Sequence, residues 1–581
     1  MTDSRSSTGA LRGAGASTAL ILLAILAVAV GLRLWGVNWG LPLLLHNDEG
    51  NEVLRALRLG AGDFELQRVA KGGYFYLLFV EYGVLYLALR LFGIVGSPAD
   101  FADFFVRDPT VFYLIGRTTT ALIGAATVYL VYSLGRRAYS RAAGLWGAGL
   151  LAINVLHADL SHYIAVDVPM TFLAVATLYF AVRMVTEDRA SNYAWAALFA
   201  ALATTTKITA VLLLVPLLLA HFFHARAAGR PARFYFVGAP LLRAAAVFMI
   251  TYVVTTPGII THFGNVVSWT SGLFATTPDA GVAASAGTPG ATTASDYESP
   301  NLYRFYANVL LQSMGLPAFI LCLAGILYAF VRRTAVDLVL LSYAACVYLA
   351  MAGTSDESLY YPRYILPAIP VLAILSGRVT DDTLLRVRER YRSVATVMTV
   401  AALAFMPLPQ IVDANVLMTR EDTRATAKKW IEAHVPADAK IFIEGTRTRP
   451  IEGTVPLNNS PGNLKARIAA YRDREPGKAR YFDIERRVRA GPTYDLLTVS
   501  AYDELRDLQY YKSSGVEYFV LRPDAYPQSR RRPHWPRLVA ELRSDPETIL
   551  LKRFSPVAGQ TPGPLIEIYK VSSDKPEAAS P

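Results

Sequence analysis

Cysteine is nearly absent from this 581-residue sequence: only Cys322 and Cys346 occur, each inside an apolar run. Thiols so placed build neither a disulfide framework nor a cysteine-ligated metal centre. Charge is scarce as well. Only 18% of residues are charged against 53% from the apolar set, and the mean hydropathy is +0.31. The apolar residues fall in runs of about 18 to 25, the length that crosses ~30 Å of hydrocarbon. That excludes a soluble enzyme, a fibrous protein and a disordered chain. The net charge of +11, from 57 Lys+Arg and 46 Asp+Glu, reads as basic loops beside a membrane, with no nucleic acid as partner.

The runs cover roughly 17–37, 73–93, 111–135, 142–160, 166–185, 192–207, 208–225, 238–257, 306–331, 335–353, 362–378 and 393–412. The first follows a short arm carrying Arg5 and Arg12, has no small-residue cleavage site after it, and is read as a retained helix. Charge then sets the topology. If 73–93 crosses the membrane, Arg136, Arg137 and Arg141 fall outside, together with Arg226, Arg230, Arg233 and the Arg332–Arg333 pair. If 73–93 lies along the interface, all of these become cytoplasmic, as do Arg386, Arg388, Arg390 and Arg392, and the acidic connections face out. Glu81, Arg90 and tyrosines 74, 76, 82 and 86 suit an interfacial helix. The expectation is an α-helical polytopic membrane protein of about 11 spans over 1–412, with 38–110 a long external loop. The acidic sites Asp48–Glu49 and Asp167 then share one compartment.

After residue 412 the sequence becomes rich in charge and turns. Segment 413–581 reads as an external α/β domain: helices over 421–434 and SAYDELRDLQYYKSSG, and strands KIFIEG, VEYFVL and LIEIYKV. It contains no nucleotide-binding glycine loop and no nucleophile elbow. Residues 279–294, rich in Ala, Gly and Thr, read as a flexible external loop.

Seven charged residues at the outer ends of the runs could carry chemistry. Asp48 and Glu49 open an amphipathic stretch in which Val53, Leu54 and Leu57 oppose Arg55 and Arg58. Helix capping by Asp48 is the plain reading, and a general base or cation ligand the functional one. Asp167, with Pro169 two residues on, reads likewise as a cap before an N-terminal proline or as a second functional carboxylate. His157, Asp159 and His162 lie nearby, but their spacing is not that of a metal ligand set. Lys71, Arg117, Lys207 and Arg363 are cations at outer ends of runs. Snorkelling toward headgroups accounts for such residues singly, whereas a cluster of them suits a phosphate-bearing lipid.

In order along the chain stand an acidic pair after the first run, Lys-Gly-Gly-Tyr-Phe, Arg-Arg-Ala-Tyr-Ser-Arg, Asp-Val-Pro-Met-Thr-Phe, Thr-Lys-Ile-Thr-Ala-Val and Pro-Arg-Tyr-Ile-Leu-Pro. This series resembles the GT-C membrane glycosyltransferases, specifically the family of protein O-mannosyltransferases and aminoarabinose transferases, over about 17–378. The resemblance implies transfer of a sugar from a polyprenyl-phosphate carrier to a protein, lipid or glycan acceptor at the external face. It implies Asp48 as the catalytic carboxylate, with Glu49 beside it, and Asp167 as a second essential aspartate. Lys71 and Arg363 match positions associated with the carrier phosphate, with Arg117 and Lys207 matching more loosely. The tail lacks the repeat domain of eukaryotic protein mannosyltransferases, which implies a bacterial inner membrane with 413–581 in the periplasm. Two departures stand out: Lys-Gly-Gly replaces Lys-Pro-Pro, and Asn47-Asp48-Glu49 also resembles the acidic motif of metal-dependent oligosaccharyltransferases, which leaves Mg or Mn open.

The residues suit that chemistry. An acceptor hydroxyl attacking an anomeric carbon needs a carboxylate to take its proton, and the departing phosphate needs cations. A single displacement inverts the configuration. The competing class is a transporter or flippase of a lipid-linked sugar, which favours repeated halves and helices broken at the midplane; neither is evident.

Overall fold

Long apolar sequence becomes helix because only a helix or a closed barrel satisfies its own backbone groups in lipid. The computed structural model describes residues 4–46, 48–62, 72–235, 237–256, 301–353, 361–445, 455–499, 505–524 and 534–571. The bundle begins with α1 (Ser4–Leu34), α2 (Glu49–Gly60), α3 (Gly72–Leu91), α4 (Pro98–Arg107), α5 (Thr110–Ala138) and α6 (Arg141–Ala152). It continues with α7 (Val155–Leu160), α8 (Asp167–Thr186), α9 (Ala190–Thr206), α10 (Leu214–Ala227) and α11 (Ala239–Thr255). Helices Leu302–Met314, Leu316–Arg332, Ala335–Ala352, Ile369–Arg386, Glu389–Ala404 and Pro407–Met418 complete it. Residues 279–294 lie outside the described residues.

Among the described residues, eight helices are long and apolar enough to cross a membrane, or ten if each of two bent pairs is one span. Eleven were expected, without α3; the eight include α3, while α9 is only 17 residues long and three of the expected runs are broken. Run 142–160 divides into the 12-residue α6 and the short α7, at Asn154, whose side chain accepts from His157 N at 2.9 Å. Run 306–331 turns by 119° at Gly315. There a φ of +76° favours glycine, and Pro317 starts the next helix. Run 393–412 bends by 42° before Pro407.

The basic turns meet at one end of the bundle. Arg137 donates to Glu187 at 2.6 Å, Tyr139 donates to Asp337 at 2.8 Å, and Arg378 pairs with the same Asp337. Tyr328 donates to Asp382 at 2.8 Å, and His224 lies 3.4 Å from Asp188. The opposite end carries α2, α4, α7 and the candidate site. Both flanks of α3 lie at that opposite end. Gly72 and Gly73 abut Thr255 and Thr206, at the ends of α11 and α9, and Phe101, Phe104 and Phe105 of α4 pack around Phe112 near the start of α5. Val80, Val84, Leu87 and Leu91 are exposed along α3, an apolar row suited to lipid.

The C-terminal domain is a six-stranded sheet, in the order β2-β3-β1-β4-β6-β5. The strands are β1 (Lys440–Glu444), β2 (Asn458–Asn459), β3 (Thr493–Val499), β4 (Tyr518–Leu521), β5 (Thr548–Phe554) and β6 (Ile566–Val571). Strands β1 to β4 run parallel, while β6 pairs antiparallel with β4 and β5. The helix expected over SAYDELRDLQYYKSSG is shorter, Leu508–Ser513, opened by the side chain of Asp507. This domain sits at the site end: Ile484 joins the cluster containing Phe105 and Val106, and Arg487 lies 3.6 Å from Asp103.

Single cysteines at 99 and 429 should therefore react with an impermeant thiol reagent from one side of the membrane, and Asp188→Cys from the other. Protection of 99 while 429 reacts would show that α3 crosses.

Candidate active site

Asp48 stands at the N-cap position of α2, yet its side chain makes no cap hydrogen bond. It accepts instead from Nη1 of Arg363. Asp167 is the first residue of α8 and likewise does not cap it. Its Oδ1 accepts from Lys207 Nζ at 2.6 Å. The capping readings of both aspartates are thus corrected, because an ion pair to a cation across the bundle end engages each carboxylate.

Local backbone chemistry delivers the cations. α9 stops at Thr206, leaving Lys207 extended at φ −152° and ψ 124° before a 3₁₀ turn. Pro362 opens the 3₁₀ turn Pro362–Ala368, which runs into the helix Ile369–Arg386, buried at every residue from Ile369 to Arg378. Arg363 is thereby held on a rigid element. Tyr364 faces both cations, with its ring centre 4.3 Å from Lys207 Nζ and 5.8 Å from Arg363 Cζ, and Tyr361 lies 4.8 Å from Arg363 Cζ. Arg363 is within electrostatic reach of both Asp48 and Asp167, and Lys207 of the same two and of Arg363. The four charges form one cluster, with side-chain exposures of 22% for Arg363, 19% for Asp48, 15% for Lys207 and 4% for Asp167.

Glu49, one residue from Asp48, is fully buried. Arg117 grips it bidentately, Nε to Oε1 at 2.7 Å and Nη2 to Oε2 at 2.6 Å, and donates Nη1 to the carbonyls of Val37 and Trp39. Glu49 Oε1 also accepts from Ile164 N at 3.0 Å. Every nitrogen of Arg117 is committed within the protein. This pair joins α2, α5 and the loops before α2 and α8.

Lys71 lies outside the described residues. The next residue is placed: a Cβ on Gly72 would come within 1.9 Å of the Thr255 carbonyl oxygen. At Gly72 the Gly-Gly in place of Pro-Pro is therefore a close backbone approach. Among the described residues no three His, Cys, Asp or Glu side chains gather as a metal site. His157 instead contacts Arg33 Nη2 at 2.9 Å, and His162 contacts the carbonyls of Asp159 and Trp35. Burial lifts the Asp159 carboxyl to about 6 and pushes the half-buried His46 imidazole down. His46 stacks on Tyr163 at 4.2 Å, next to the acidic pair.

Sequence reasoning missed Arg33. It is fully buried and donates to the carbonyls of Ala152 and Leu151, satisfying the C-terminal end of α6 and placing positive charge where the helix dipole favours it. A lone arginine near the end of an apolar run was the available signal.

Residues 114–256 match the family model described as dolichyl-phosphate-mannose-protein mannosyltransferase. Among solved structures the chain is similar to the apo oligosaccharyltransferase of Archaeoglobus fulgidus (TM-score 0.48, 12% identity, covering 87% of this chain and 70% of that one). It is also similar to ArnT from Cupriavidus metallidurans bound to undecaprenyl phosphate (0.44, 13%, 97% and 98%). A third similarity is to the mycobacterial arabinofuranosyltransferase AftD (0.40, 14%, 95% and 42%). No curated protein matches. Over 114–256 the chain matches the model of a family that its motifs resemble, and a polytopic helical bundle followed by a C-terminal α/β domain is the fold expected from the sequence.

Proposed function

We propose that this protein transfers a sugar from a polyprenyl-phosphate carrier to an acceptor hydroxyl or phosphate at the extracytoplasmic face, with inversion. The observation that carries the reading is the cluster of Asp48, Asp167, Lys207 and Arg363 at one end of the bundle. That end is opposite the basic turns, which the positive-inside rule assigns to the cytoplasm. The carrier phosphate competes with the two carboxylates for Arg363 and Lys207, and Lys71 precedes the helix that abuts this place. Once Arg363 turns to the phosphate, Asp48 is free to accept the acceptor's proton. Arg363 and Lys207 stabilise charge on the departing polyprenyl phosphate. Asp167 holds Lys207 in place.

Asp48 and Asp167 are each already paired with a cation and do not make a closed metal site. The deciding assay reconstitutes the full chain in proteoliposomes with a polyprenyl-phosphate-linked sugar and follows acceptor-dependent release of polyprenyl phosphate. Release that survives chelation within about twofold is expected. Donor crossing the bilayer uncleaved would make the protein a transporter, and chelator loss restored by Mn or Mg would move the charge work to a metal.

Arg363→Ala removes a charge-assisted contact worth roughly 1.5–3 kcal/mol. Donor affinity should weaken about tenfold or more, and turnover should fall with it if the contact tightens as phosphate leaves. Equilibrium donor binding and single-turnover rates in one nanodisc preparation measure both. Wild-type donor affinity would remove Arg363 from the phosphate site.

A further inference from the structure

We infer that Arg424, in the C-terminal domain, is a positioning residue for Asp48, so that this domain sets the geometry of the proposed active site; the inference rests on the reading of Asp48 as the proton-accepting carboxylate. Arg424 belongs to the helix Thr423–His434, whose N-cap is the buried Asp422. Asp422 accepts from Arg424 Nε at 2.8 Å and from Nη2 at 2.9 Å. This fork holds the guanidinium plane in one orientation. Nη1 then points out of the domain and donates to the Leu45 carbonyl at 2.9 Å. The guanidinium also lies over the Trp39 ring, 5.7 Å from its centre, a cation–π contact.

Leu45 precedes Asp48 by three positions, and the loop from Trp35 to His46 is built from turns, with Leu44 at a φ of +54°. Two arginines grip it, one from the bundle and one from the C-terminal domain. From the bundle, Arg117 takes the carbonyls of Val37 and Trp39. From the domain, Arg424 takes the carbonyl nearest Asp48. The domain's grip is itself anchored: Thr423 N donates to Pro562 O at 2.9 Å, and Thr423 Oγ1 to Pro564 O at 2.8 Å, in the connection between β5 and β6. A continuous line of hydrogen bonds thus joins the sheet, through Asp422, Thr423 and Arg424, to the loop carrying Asp48. A base must be held within about 0.5 Å of its productive place, and a 1 Å misplacement can cost on the order of a hundredfold in rate.

The test uses the reconstituted full chain and the variants Arg424→Gln, Arg424→Lys and Asp422→Asn, with Asp48→Asn as reference. Arg424→Gln should lower turnover at saturating donor and acceptor by about tenfold to a hundredfold, with donor affinity within about twofold and the unfolding temperature near wild type. Amide exchange should quicken over 38–46 and stay unchanged over β1 and β4. Arg424→Lys should recover part of the turnover, because an ammonium can reach the Leu45 carbonyl but cannot fork onto Asp422. Asp422→Asn should resemble Arg424→Lys. Wild-type turnover in Arg424→Gln, or a loss matched by its loss of folded protein with exchange over 38–46 unchanged, would overturn the inference. Should Asp48→Asn keep its turnover, the reading of Asp48 fails instead, and the exchange comparison still decides whether Arg424 holds the loop.

Discussion

Asp48→Asn should lower turnover by ~10²–10⁴ while leaving donor binding nearly unchanged. Asparagine keeps the size of the side chain and an oxygen for Arg363, but it cannot take a proton from the acceptor. Donor affinity depends on the cations, and these stay. Loss of the anion also frees Arg363 from competition, so donor affinity should hold or rise slightly. Single-turnover rates and equilibrium donor binding, measured on the same preparation, check this. Loss of donor binding in Asp48→Asn, with Arg363→Ala binding normally, would reverse the two roles and make Asp48 a holder of the donor phosphate through a cation.

Glu49→Gln, one position further, should fail differently. Glu49 and Arg117 are both buried, with exposures of 0% and 1%, and breaking one partner of such a pair leaves an uncompensated buried charge, at a cost of about 3–5 kcal/mol. The expected result is a steep fall in unfolding temperature and in folded yield, with turnover per folded molecule within a few-fold of wild type. Arg117→Met should do the same, and the double variant Glu49→Gln/Arg117→Met should recover part of the stability, since the buried charge has then gone. Thermal unfolding in one detergent, read beside turnover normalised to folded protein, separates the effects. Normal stability with a hundredfold loss of turnover in Glu49→Gln would place Glu49 in the chemistry beside Asp48.

The contrast between these neighbours shows where reading the sequence stops. Asp48 and Glu49 are both carboxylates after the first span, and nothing in their spacing assigns one to a solvent-reachable cation and the other to a buried arginine. Asp48 already has helical backbone angles at the start of α2, so the two consecutive side chains leave the helix about 100° apart. Arg117 and Arg363 are equally alike as cations near span ends. Only packing shows that Arg117 spends its donors inside the protein, whereas Arg363 pairs with a carboxylate 315 positions away. Lys207 was legible as a charge at the end of an apolar run, and Asp167 as a carboxylate at the start of one. Their pairing depended on α8 and α9 packing side by side.

The sequence by itself determined that this chain is a membrane-embedded helical bundle followed by an α/β domain, because apolar runs of spanning length and a change of composition after residue 412 require no tertiary knowledge. It also determined which charges stand at the ends of those runs, since charge is costly deeper in hydrocarbon. The tertiary structure alone decided the bend at Gly315, the burial of Arg33 at the end of α6, the pairing of Asp48 with Arg363 and of Asp167 with Lys207, and the reach of Arg424 to Leu45. Each depends on segments far apart in the chain meeting at distances of a few ångströms. Hydropathy and motif order carry no information at that scale, because helix packing and loop geometry set it.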